Sequence, residues 1–84
     1  AAAAERLEKQ SILIAVTAEG NVVYGGREIG ASGVQSIVKR IYQDEEVPVI
    51  IQADREAPSG LVIRVVGEAK RAGANKVSTA TPKA

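Results

Sequence analysis

Residues 47 to 81 spell out a strand, a helix and a second strand with almost nothing between them: VPVIIQADREAPSGLVIRVVGEAKRAGANKVSTAT. Val47 to Ile51 is a short apolar run rich in β-branched residues, as a buried strand requires. Pro58 suits a first helical turn, where its missing N–H costs nothing. Val62, Val65, Val66 and Ala69 then recur at helical spacing. Lys70 and Arg71 put cations at the negative end of the helix dipole. Gly73 suits the left-handed residue that closes a helix. Val77 to Thr81 supplies the second strand. A unit of this kind makes its strands parallel and its crossover right-handed.

The preceding half supplies the rest of a sheet. Ser11 to Thr17, SILIAVT, reads as a central strand. Ala18-Glu19-Gly20-Asn21 is a turn, and Val22, Val23 and Tyr24 resume as a second strand, giving a hairpin that Gly25-Gly26 ends. Ser32 with Gln35 three residues later forms a capping-box signature. The helix it opens runs to about Gln43, with Val34, Ile37, Val38 and Ile41 as its apolar stripe. The expected fold is α+β, a two-layer ββαβαβ sandwich. Its mixed four-stranded sheet has the order 2-1-3-4, with both helices on one face. Ala1 to Gln10 reads as a linker or tail, and residues 11–84 as the domain.

Eighty-four residues make one small domain, and its core must be aliphatic, because the chain has two tyrosines and no Phe, Trp or Met. So small a core favours a second copy or a partner. The lack of Met leads us to expect a fragment or a processed form. No apolar run approaches the roughly 20 residues of a membrane helix. The net charge of +1 argues against nucleic acid, whose partners concentrate positive charge on one face. Absence of Cys removes disulfides and thiolate metal sites. Absence of His removes the usual general base and the commonest zinc ligand.

The remaining candidates are modest. Gly30-Ala31-Ser32-Gly33 matches the GxxG loop with which KH domains clamp single-stranded nucleic acid. This is the alternative reading, although the loop carries no basic side chain. Asp44-Glu45-Glu46 lacks the alternating spacing of a calcium loop and reads as solvated. Asp54 follows a strand at its C-terminal end, and is expected to cap the next turn or helix through backbone N–H groups. No cofactor, metal or catalytic residue is assigned, and the chain is not read as an enzyme.

Pro48 to Asp54 (PVIIQAD), then Pro58 and Gly60, then Ala72 to Thr81 (AGANKVSTAT), together resemble the C-terminal domain of the ExbD/TolR family of biopolymer-transport proteins. The resemblance covers about Ser11 to Thr81. It implies the periplasmic domain of a single-pass inner-membrane protein, with the anchor outside this stretch. It also implies work beside an ExbB/TolQ-type membrane protein. Together they use the proton-motive force to energise a TonB- or TolA-type periplasmic partner. Peptidoglycan is a further partner that TolR-like members raise. The family's proton-carrying aspartate lies in the membrane helix, so Asp54 is not its counterpart. The expected order leaves two sheet edges, Val22-Val23-Tyr24 and the final strand with Val77, Ser78, Thr79 and Ala80. An edge presents unpaired N–H and C=O groups. These residues are the expected partner-binding positions, with a homodimer formed at or near Val77 to Ala80.

Overall fold

The computed structural model describes residues 11–81. The linker or tail expected over residues 1–10 lies outside them. The elements in order are β1 (Ile12–Val16), β2 (Val22–Tyr24), β3 (Arg27–Glu28), α1 (Gly30–Tyr42), β4 (Val49–Ala53), α2 (Ser59–Arg71) and β5 (Val77–Ala80). They form one mixed sheet in the order β3-β2-β1-β4-β5 with two helices. The expected 2-1-3-4 arrangement is therefore present as β2-β1-β4-β5, and a fifth strand is added beside β2.

Apolar alternation fixes the sheet against the helices. Ile12, Ile14 and Val16 of β1 are buried, as are Val49, Ile51 and Ala53 of β4. The two strands run parallel with Ile14 opposite Ile51. One core cluster joins these side chains to Ala31, Val34 and Val38 of α1 and to Val65 and Ala69 of α2. Both helices therefore cover one face. Leu13, 44% exposed, and its cross-strand neighbour Ile50 lie on the other. A period of two puts alternate residues on opposite faces, so this division follows directly from the register.

The hairpin between β1 and β2 closes on backbone bonds from Thr17 to Asn21 and from Gly20 to Thr17, with Gly20 at φ 90°. A second hairpin follows at once. Gly25 and Gly26 take φ 60° and 80°, the left-handed pair of a two-residue type I′ turn. They fold Arg27–Glu28 back on β2, pairing Tyr24 with Arg27 and Val23 with Glu28. Gly25-Gly26 thus starts a strand where the sequence reading ended one.

The first helix begins earlier than expected, and Ser32 is not its cap. The chain turns at Gly30, φ 70°, with no side-chain hydrogen bond at the helix start. Ala31 is thereby buried, while Ser32 is exposed within the first turn. Gln35 does not reach back to close a capping box. Its Nε2 donates instead to Glu68 Oε1 of α2 at 2.6 Å. Gly73 behaves as expected: at φ 106° its N–H bonds the Lys70 carbonyl, and the Ala74 N–H bonds that of Ala69. This double closure is the Schellman arrangement.

Burial ranks the core. Ile51 is wholly buried, whereas Ile37 is half-buried. Ile51→Ala is expected to cost about 2–5 kcal/mol, and Ile37→Ala markedly less. Urea titration of the two variants checks this. Equal losses would contradict the placement of α1.

Candidate functional site

The two edges of the sheet differ in chemistry. On one side β3 has only two residues, both charged, and charge with brevity is how natural sheets discourage edge pairing. On the other side β5 has Val77 half-buried and Ser78, Thr79 and Ala80 exposed, with no charge after Lys76. Val22, Val23 and Tyr24 are not an edge. β1 pairs Val22 and Val23, and β3 pairs Val23 and Tyr24. The Val22 carbonyl also accepts from the Ile29 N–H at 2.8 Å. The Gly-Gly turn is what covers them, so the expectation of an open edge there is corrected.

The parallel register divides the β5 residues further. Val49 lies opposite Val77, and its N–H bonds the Lys76 carbonyl at 2.8 Å. Backbone groups of alternate residues turn to opposite sides of a strand, so Ser78 and Ala80 face β4 with Lys76. Val77 and Thr79 turn their N–H and C=O groups outward. Their side chains lie on the helix side of the sheet, in register with buried Val49 and Ile51. Two anchors hold the strand's approach: the Gly73 turn, and Asn75 Nδ2 donating to Glu46 Oε1 at 2.9 Å.

The other candidates are accounted for locally. Asp54 Oδ1 accepts from the Glu56 N–H at 2.9 Å, so it closes a turn before α2, whose N-cap is Pro58 without a side-chain bond. Among the described residues no group of three His, Cys, Asp or Glu could hold a metal ion. Gly30-Ala31-Ser32-Gly33 is not a loop between helices. It forms the first turn of α1, with Ile29 packed so closely on Gly33 that an added Cβ would lie 3.0 Å from its side chain. The KH reading lacks support, because a KH loop joins two helices and this Gly-x-x-Gly follows β3 and opens α1.

One buried polar contact has no counterpart in the sequence reading. Glu68 is the buried charged residue of the described chain. It joins α2 to α1 through Gln35 and lies 3.5 Å from Arg71 and 3.8 Å from Arg64. Both arginines lie on α2 itself and are largely solvated, so of these contacts only the bond to Gln35 reaches the other helix. Its sequence signal is a charge at position 68 directly before buried Ala69, on the edge of the apolar stripe.

Among the described residues the sheet and helices define a two-layer α+β domain with one edge of two charged residues and one edge, β5, on which no further strand pairs. The family model for biopolymer transport protein ExbD/TolR matches residues 1–84, and the chain belongs to the ExbD/TolR family. It is 30% identical over 84 residues to biopolymer transport protein exbD2 of Vibrio cholerae, a match covering 99% of this chain and 63% of that protein. The chain thus spans less than two thirds of that relative. Among the described residues no helix is long and apolar enough to cross a membrane.

The register makes Ser78 and Thr79 unequal. Ser78→Pro removes a ladder donor and is expected to cost about 1–3 kcal/mol. Thr79→Pro removes an outward donor, the position a strand tolerates. Denaturant midpoints of the two variants check this, and equal destabilisation would contradict the register.

Proposed function

We propose that this domain is the periplasmic part of an ExbD/TolR-like subunit of a proton-motive-force-driven inner-membrane motor. It works by strand-mediated contact and has no catalysis of its own. The observation that carries the reading is the open edge of β5, with the outward N–H and C=O groups of Val77 and Thr79. Strand addition to such an edge gives affinity through the main chain and selectivity through alternate side chains.

The family supplies the setting. An ExbB/TolQ-type membrane protein stands beside the subunit's anchor, and a TonB- or TolA-type protein provides the extended periplasmic segment. The edge accepts one strand at a time: that of a second copy in the isolated domain, and a partner segment in the working assembly. The core is built from valine, isoleucine and alanine, and gives a domain of this size a further reason to associate. Peptidoglycan contact has less support, since two tyrosines and no Phe or Trp make a poor stacking surface.

Thr79→Pro tests the reading. One lost edge bond, with the ring in the way of an incoming strand, is expected to weaken self-association about tenfold. Sedimentation measures that loss, and titration with an extended segment of a TonB- or TolA-type partner measures a second loss of similar size. Unchanged values for both, with the fold intact, would remove β5 as the contact.

A further inference from the structure

The charges of the described residues are segregated. The helices carry Lys39 and Arg40 on α1, and Arg64, Lys70 and Arg71 on α2, all exposed. Against these five cations they have one carboxylate, Glu68, which is buried and held by Gln35. The strands and loops have the reverse excess, seven carboxylates against three cations, so the helical layer is positive and the rest of the described domain negative. Because α1 and α2 pack side by side on one face of the sheet, their outer sides make one continuous cationic surface.

The outer side of α2 adds an aliphatic tip to that surface. Residues advance by about 100° around an α-helix. Buried Val65 and Ala69 mark the line that faces the sheet. Ile63 and Lys70 therefore share an outward line two turns apart, and Arg64 and Arg71 share the next. Gly60 and Gly67 fall between these two lines. Ile63 is 72% exposed, more than any other large aliphatic residue described. A Cβ added at Gly60 or Gly67 would meet nothing within 4 Å, and neither glycine has positive φ. Nothing in the described domain calls for glycine at these positions, and inside a helix Gly67 is less stabilising than Ala. Their effect is to leave Ile63 standing clear of its own helix, with cations on both sides. Arg64 and Arg71 approach Glu68 but stay largely solvated, and Lys39, Arg40 and Lys70 take part in none of the salt bridges of the described residues.

We infer that the outer face of α1 and α2 docks on a bilayer carrying anionic phospholipid headgroups. Such a surface has phosphates outermost and hydrocarbon directly beneath. A cationic field with one protruding aliphatic side chain matches that order. Lys39, Arg40, Arg64, Lys70 and Arg71 meet the phosphates, and Ile63 enters the boundary between headgroups and acyl chains. Nucleic acid fits the same face poorly. Tyr42 turns to the Val47 carbonyl and Tyr24 packs on the core, so neither ring is offered for stacking. An acidic protein would satisfy the cations without using an isolated aliphatic tip. The face is separate from the β5 edge, so the inference stands apart from strand docking.

Sedimentation of the whole 84-residue chain with lipid vesicles tests it. At low salt, vesicles of equal parts phosphatidylcholine and phosphatidylglycerol are expected to bind about tenfold more tightly than vesicles of phosphatidylcholine alone, and added salt should remove most of that difference. Lys70→Glu should weaken binding to the anionic vesicles about tenfold, and Ile63→Ser about fivefold. Neither should move the denaturation midpoint, because both side chains are exposed. Arg27→Glu makes the same change in charge on β3, at the opposite edge of the sheet from α2, and should leave vesicle binding nearly unchanged. Thr79→Pro should leave it unchanged too, whatever it does to self-association. Absence of vesicle binding, or equal losses for Arg27→Glu and Lys70→Glu, would overturn the inference. A loss for Lys70→Glu with none for Ile63→Ser would overturn it as well, and would leave an acidic protein as the occupant of the cationic face.

Discussion

The parallel pairing of β1 with β4, centred on Ile14 opposite Ile51, is the constraint on which the domain depends. Both side chains are wholly buried, and the ladder runs the full length of both strands. Two parallel neighbours cannot be joined by a tight turn, so the chain must leave the sheet and return. α1 makes that return, and its apolar stripe finds the sheet face because the strands already alternate toward it. The second crossover repeats the logic: β4 pairs parallel with β5, and α2 lies beside α1 on the same face.

Having both crossovers on one face leaves the sheet, among the described residues, without a helix on its other side and with an unequal pair of edges. The hairpin side can be shielded by adding another hairpin, and Gly25-Gly26 does so with only Arg27 and Glu28. On the crossover side β5 arrives from a helix, and among the described residues no further strand pairs with it. Ending the sheet in a parallel strand that is small, short and nearly uncharged is what makes its outward Val77 and Thr79 groups available. The tie of Gln35 to Glu68 helps hold α2 in place above that edge.

The parts of the fold that were legible in the sequence are those with a repeating physical signal. SILIAVT and VPVII carried their strands in short apolar runs rich in β-branched residues. The stripes of both helices carried their phase, and Gly73 carried a helix end that requires positive φ. The misreadings arose where a signal was too short or had two meanings. Arg27–Glu28 is too brief to show any period, and Gly25-Gly26 can either end a strand or reverse it. Ser32 and Gln35 have the right spacing for a capping box, but Gly30 can turn the chain two residues sooner, and burying Ala31 favours that start. The candidate edge was half legible. Its composition marked β5 as poorly defended, but Ser78 and Thr79 can be told apart only once Val49 is known to lie opposite Val77.

The central claim is that β5 takes an added strand on the side away from β4. Amide hydrogen exchange, resolved by residue, tests it most directly. In the free domain the Ser78 amide, bonded within the ladder, should exchange slowly, and those of Val77 and Thr79 quickly. With a saturating extended partner segment, Val77 and Thr79 should become protected while Ser78 changes little. A bound partner that leaves the Val77 and Thr79 amides as open as before would contradict the account.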